Sequence, residues 1–241
     1  MNAALHRTLI VLPAFNEQDS VGAVVAEVSS KLPGAHILVV NDGSSDNTEA
    51  AATAAGAIVA SIPFNMGVGG AMRLGFKYAI AHDLDNVVQI DADGQHDPSS
   101  VPALLAALER NDLVIGARFA GQGDYSVTGP RRWAMKVLSS VLSRVTRATL
   151  TDATSGFKAN GPKAVALFSE NFPAEYLGDT VEALVIAARG GCAIEQVPVS
   201  MRPRAGGQPS HNPIKSAIYL GRAFLALSVA LIRPITPAKE L

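Results

Sequence analysis

The sequence predicts an α/β domain, a mostly parallel sheet sandwiched by helices. Three observations predict it. Short, almost wholly apolar runs alternate with helical segments through the first half of the 241-residue chain. Strands covered on both faces read as such runs, whereas strands covered on one face alternate apolar with polar. Each run also gives way to Gly, Pro, Asn or Asp. Finally, the run Val87-Val88-Gln89-Ile90 leads directly into Asp91-Ala92-Asp93. Ligand sites of open α/β sheets gather at the C-terminal ends of strands.

The elements follow in order. Residues 9–12 read as a strand and 20–32 as a helix. Residues 37–40 form the second strand, after which Asp46 or Ser45 caps a helix over 47–55. A third strand at 57–61 precedes a helix over 70–82. The strand at 87–90 feeds Asp91, and a helix at 102–110 returns the chain to a strand at 113–115. Beyond it the pattern changes. Residues 121–129 form a glycine-containing loop and 131 to about 147 a basic helix. Residues 154–159 are expected as an edge strand, 181–189 as a helix and 194–201 as a strand. A loop rich in Gly, Pro and Arg occupies 202–213. No linker divides residues 1–213, which are expected to form one domain followed by a helix and tail over 214–241. In that helix Lys215, Arg222 and Arg233 fall within about 20° of one line at α-helical pitch. A basic stripe on an apolar helix suits a membrane interface, and packing on the core or on a second copy of the chain would suit it too.

Composition narrows the functions. A net charge of −1 and scarce aromatics give no field or stacking surface for nucleic acid. The single cysteine, Cys192, rules out an internal disulfide and fits a reducing cytoplasm. The first residues lack a signal-peptide pattern, and no uncharged run reaches the roughly 20 residues of a bilayer span.

Asp91 and Asp93 are two residues apart, so in extended backbone they point the same way. Two hard oxygen ligands with open positions suit Mg²⁺ or Mn²⁺ holding a diphosphate. An acidic turn capping the helix near Pro98 would use the same residues for structure alone. Three further segments end strands on the same side of the expected sheet. Pro13-Ala14-Phe15-Asn16-Glu17 places polar groups past the first strand. Asn41-Asp42-Gly43 follows the second, and Asp42 stands where acids commonly bind a ribose or base edge. Asn65-Met66-Gly67-Val68-Gly69-Gly70 offers close backbone approach and a helix N-terminus to an anion. It is neither a P-loop nor a dinucleotide fingerprint, since Met72 occupies the third glycine position.

Together these segments resemble glycosyltransferase family 2, whose members have the GT-A fold. Gly116-Ala117-Arg118, Thr154-Ser155-Gly156-Phe157-Lys158 and Met201-Arg202-Pro203-Arg204-Ala205-Gly206-Gly207 extend the match to about Ser210. The order and spacing are similar to the dolichyl-phosphate mannose synthase branch. The resemblance implies a nucleotide-diphosphate-sugar donor, GDP-mannose or UDP-glucose, and a polyprenyl phosphate acceptor. Pro13, Ala14, Phe15, Glu17, Asp42, Gly69 and Asp91-Ala92-Asp93 would bind the donor. Asp91, Asp93 and Gln95 would hold the metal, and Arg204 would neutralise the diphosphate. Arg118 with Arg131 or Arg132 would grip the acceptor phosphate, a task suited to a guanidinium fork. The chain departs from the branch at Asn41, at Lys158 where Arg is commoner, and at Pro209 in the late loop.

A lipid phosphate, with a second pKa near 6, is largely dianionic at neutral pH and needs no strong base to attack. The expected reaction is inverting transfer, at the inner face of the cytoplasmic membrane. With a hydroxyl acceptor instead, Asp152, Asp179 or Glu182 would supply the base. A nucleotide-sugar-binding module without turnover is a third reading, opposed by the intact Asp91-Ala92-Asp93.

Overall fold

The structure, a computed structural model, describes residues 4–118, 130–152, 155–173 and 179–202. The side chains of Arg118, residues 130–136 and Asp179 lie outside that description, as does the predicted helix over 214–232.

Seven strands form one mixed sheet: β1 (Thr8–Ala14), β2 (His36–Asp42), β3 (Ile58–Ile62), β4 (Asn86–Gln89), β5 (Leu113–Arg118), β6 (Lys158–Asn160) and β7 (Ile194–Val199). Their spatial order is β3-β2-β1-β4-β6-β5-β7. β1 pairs in parallel with β2 and β4, β2 with β3, and β5 with β7. Only β6 runs the other way, antiparallel to both β4 and β5. The expected edge strand at 154–159 is therefore a short interior strand.

The helices are α1 (Val21–Lys31), α2 (Thr48–Ala54), α3 (Gly67–Ala81), α4 (Val101–Leu108), α5 (Pro130–Thr146), α6 (Pro162–Asn171) and α7 (Asp179–Arg189). In α1, Val21, Val24, Val25 and Val28 recur at i, i+3, i+4 and i+7 and bury one stripe against the sheet. Strand residues divide between two cores. Leu9, Val11, Leu38, Val40 and Val87 meet α3, α5, α6 and α7 on one face. Ile10, Leu12, Val39, Val88 and Ile90 meet α1, α2 and α4 on the other. This two-residue alternation within wholly buried strands is why the runs read as continuous apolar stretches.

α6 has no counterpart among the sequence-based expectations. Its signals are Pro162 at the first turn, where a missing N–H costs nothing, and an apolar stripe at Ala164, Val165 and Phe168. Phe168 and Phe172 pack on Phe76 of α3, with centroids 5.2 and 5.1 Å away.

Candidate active site

The C-terminal ends of β1, β2 and β4 open on one cavity of about 400 Å³. Pro13, Ala14, Phe15 and Glu17 line it from the β1 end, Asp42 from the β2 end, and Asp91, Ala92 and Asp93 from the β4 end. Gly67 and Val68 line it from the start of α3, and Gln89, Gly156, Lys158, Phe172 and Thr180 complete it on the other side.

Asp91 is held on several sides. Gln89 Nε2 donates to its Oδ1 at 3.1 Å. Its own N–H donates to His96 Nδ1 at 3.1 Å, and His96 Nε2 stands 3.5 Å from its Oδ2. The Asp91 side chain is still 37% exposed. Asp93 is buried, and its Oδ1 accepts from the Gln95 N–H at 3.0 Å. Gly94, at φ 77°, supplies the left-handed residue that turns the chain here. The turn does not cap the next helix. Asp97 does that, accepting from Ser99 N at 2.9 Å.

Asp91 and Asp93 fit a magnesium-type ion by their donor chemistry. Both are hard carboxylates on one cavity, and two such ligands leave positions for water and substrate phosphates. Among the described residues no cluster of three or more His, Cys, Asp or Glu forms a closed metal cage. Gln95 does not line the cavity.

The anion expected at the start of α3 is supplied by the protein itself. Asp42 Oδ1 accepts from Met66 N and Oδ2 from Gly67 N, both at 2.7 Å. Buried Asp42 thus pins the β3–α3 connection, and any nucleoside contact would use its remaining lone pairs. α3 begins earlier than expected, which places Gly69 inside its first turn, buried and away from the cavity lining. Asp46 acts at the start of α2 as expected, accepting from Thr48 N at 3.0 Å.

The departure at Asn41 has a local reason. Its Nδ2 donates to Ser61 Oγ at 3.2 Å and lies 3.4 Å from Glu49 Oε2, while its Oδ1 accepts from Ser44 N. An aspartate there would set two carboxylates against each other.

Arg118 ends β5, and Arg131 and Arg132 lie in the first turn of α5. Arg204 lies outside the described residues, two positions beyond Arg202. Of the candidate bases, Glu182 is 7% exposed and so does not stand on a solvated helix face. Neither Glu182 nor Asp152 lines the cavity; Asp152 uses its carbonyl to accept from Gln196 Nε2 at 2.8 Å.

Lys158 and Gln89 line the cavity beside Asp91, yet the sequence reading gave neither a role. They sit opposite each other in the β4–β6 pairing. Because β6 runs backwards, its first residue lies at the same sheet end as the termini of the parallel strands. The unusual Lys158 within the Ser-Gly-Phe-Lys segment was the available signal.

Comparison with known proteins agrees with this geometry. Residues 9–166 match the family described as Glycosyl transferase family 2. The chain is 30% identical over 209 residues to an undecaprenyl-phosphate mannosyltransferase of Micrococcus luteus, covering 84% of this chain and 86% of that protein. It is 32% identical over 161 residues to a polyprenol monophosphomannose synthase of Mycolicibacterium smegmatis, covering 64% and 61%. Its fold is similar to that of glucosyl-3-phosphoglycerate synthase from Mycobacterium tuberculosis, solved in complex with Mn²⁺, UDP and phosphoglyceric acid. That similarity has a TM-score of 0.72 at 25% identity and covers 94% of this chain and 79% of the other. With the family match over residues 9–166 and the fold similarity in agreement, the chain belongs to glycosyltransferase family 2 and is a glycosyltransferase of the GT-A fold.

Proposed function

We propose that this enzyme is an inverting, metal-dependent hexosyltransferase that moves mannose from a nucleotide diphosphate, GDP-mannose first, to a polyprenyl phosphate. The observation that carries the reading is the convergence of the Pro13–Glu17 segment, Asp42, Asp91 and Asp93 on one cavity. The names of the M. luteus and M. smegmatis relatives support mannose and the lipid phosphate. The M. tuberculosis neighbour, with Mn²⁺ and UDP, supports a divalent ion and also makes UDP-glucose a donor worth testing.

Asp91 and Asp93, with Gln95 the expected third ligand, would hold Mg²⁺ or Mn²⁺. When bound, that ion supplies charge stabilisation for the leaving diphosphate. The protein's own groups do the rest. Phe15 and Glu17 flank the nucleoside, and Arg204 offers a second positive group to the diphosphate. Arg118 with Arg131 or Arg132 grips the acceptor phosphate and aims one of its oxygens at the anomeric carbon. A new C–O bond forms as the bond to the diphosphate breaks from the opposite face, which inverts the configuration. The dianionic phosphate is already a nucleophile at neutral pH, so positioning and charge neutralisation carry the catalysis.

No helix among the described residues is long and apolar enough to cross a membrane. The basic stripe of Lys215, Arg222 and Arg233 on an otherwise apolar segment supports residues 214–232 as the contact with the membrane's inner face. Deleting residues 214–241 should move protein from the membrane to the soluble fraction. Unchanged partitioning of a folded truncation would reject that role.

The test is a panel of GDP-mannose and UDP-glucose with Mg²⁺ or Mn²⁺ against polyprenyl phosphate, 3-phosphoglycerate and a simple sugar. The proposal expects organic-extractable lipid-linked sugar, formed only with the polyprenyl phosphate. Transfer to a hydroxyl acceptor alone would overturn it and bring Asp152, Asp179 and Glu182 forward as bases.

A further inference from the structure

His96 is a buried polar side chain at the site to which the reaction assigns nothing, 4% exposed and directly behind Asp91. Its ring lies flat on Phe157, with centroids 4.8 Å apart and planes 11° apart, so its plane is fixed. Nδ1 accepts the Asp91 N–H at 3.1 Å, so the ring's proton sits on Nε2. That nitrogen faces Asp91 Oδ2 at 3.5 Å, long for a hydrogen bond but close enough for attraction. The backbone on both sides is tied as well. His96 forms an isolated β-bridge with Met201, and Arg202 N donates to Gln95 O at 2.9 Å.

We propose that His96 is a positioning residue that fixes both the backbone and the carboxylate of Asp91, and through them the geometry of donor and metal binding. The proposal rests on the reading of Asp91 as a ligand of the metal–diphosphate group. Nothing else among the described contacts holds the Asp91 N–H, and Gln89 holds only the opposite carboxylate oxygen. Without the imidazole, that N–H loses its acceptor and the carboxylate keeps one anchor of two. A ligating side chain free to turn binds its ion more weakly, and loss of such supporting partners commonly lowers metal affinity 10- to 100-fold. The sequence carries this role in Asp-x-Asp-Gly-Gln-His. The left-handed turn at Gly94 doubles the chain back so that the fifth residue after Asp91 lies beneath it.

Three substitutions separate positioning from packing. His96→Phe keeps the stack on Phe157 and removes both nitrogen contacts. His96→Asn returns an acceptor for the Asp91 N–H, and His96→Gln returns an N–H toward the carboxylate. The readouts are Mn²⁺ affinity in the presence of GDP or UDP, kcat and KM for transfer, and Tm. His96→Phe is expected to weaken Mn²⁺–nucleotide binding at least tenfold, and His96→Asn to recover most of that loss. In an Asp91→Asn background His96→Phe should add almost nothing, because both changes disable one ligand.

A purely structural role would lower Tm and leave the binding constant of the folded fraction unchanged. It would also add its full effect in the Asp91→Asn background. Either result overturns the proposal. Asp91→Asn alone keeps the two readings apart. If it leaves Mn²⁺–nucleotide binding intact, Asp91 is not a ligand and the positioning role falls with it. If it weakens binding, the site stands and the His96 variants decide.

Discussion

Replacing Gly156 by alanine would put a methyl group against two side chains that line the cavity, Gln89 and Asp91. The added carbon would stand 3.0 Å from Gln89 Nε2 and 3.2 and 3.3 Å from the two oxygens of Asp91. Comfortable non-bonded contact begins at about 3.5 Å, so the neighbours must retreat by about 0.2–0.5 Å. A misplacement of about 1 Å at a reacting site costs about 100-fold. Asp91 itself must give by about 0.2–0.3 Å, about a quarter of that distance, which predicts a loss of about threefold in kcat/KM, or about 0.7 kcal/mol in transition-state stabilisation. Stability should barely move. Gly156 is not among the glycines with left-handed backbone, and alanine there lowers the entropy of the unfolded chain by about 0.4–1 kcal/mol, which offsets the crowding. The assay pairs steady-state kinetics with a thermal melt. The expected result is about threefold lower kcat/KM with Tm within about 3 °C of the parent. Unaltered kinetics would show that Asp91 yields without consequence, and a collapsed Tm would show that the glycine serves the fold. Either would refute the crowding argument.

Other consequences are as specific. Asp42→Asn keeps shape but sets an amide against two backbone N–H donors. It should cost about 2 kcal/mol in urea unfolding, and a loss below about 0.5 kcal/mol would deny Asp42 its bracing role. Burial, with Asp112 nearby, pushes the Cys192 thiol up to about 11, so little thiolate exists at pH 7. Thiol reagents should label it only after denaturation, and fast labelling of the native enzyme would contradict that. Arg202 donates to both oxygens of Glu27 at 2.8 and 2.9 Å, while Lys31 bridges Glu27 and Asp97. Hydrogen bonding from Arg202, outweighing burial, holds Glu27 below its ordinary range. Against its burial, Asp97 is held low by Ser99, Lys31 and Arg202. A depressed carboxylate contributes stability above its unfolded pKa of about 4 and loses it as pH falls through the lower folded value. The Tm gap between parent and Arg202→Met should therefore hold from pH 7 to about pH 5 and close in stronger acid. A gap that persists unchanged at about pH 2 would show that packing, not charge, ties Arg202 to α1.

Much of the architecture was legible because its signals are local. Buried parallel strands announce themselves as apolar runs, so β1 to β5 and β7, with helices α1 to α5 and α7, were readable in order, while α6 was not. The inversion at β6 was not, because strand direction depends on partners β4 and β5, distant in sequence. The same inversion brings Lys158 to the cavity, which explains why its place went unread. Asp91 and Asp93 stand out as acids just past an apolar run, but β4 ends at Gln89 and Asp93 already lies in a turn, so the turn rather than a strand period sets their relation. Asp42 was read for its acidity alone. Its binding to the α3 amides depends on where the β3–α3 connection returns, which no local pattern encodes. The departure at Asn41 is explained only by Glu49 and Ser61, which lie beside it in the fold and not in the local sequence. His96 stands five residues after Asp91, but its role emerges only from the turn at Gly94 and the ring of Phe157.

The proposed role of Asp91 and Asp93 is sugar transfer to a lipid phosphate. Its most direct test is the lipid-linked sugar formed from GDP-mannose and polyprenyl phosphate by the parent enzyme and by Asp93→Asn. The parent should form glycolipid and Asp93→Asn at least 100-fold less, with Tm nearly unchanged. Equal product from both would contradict it.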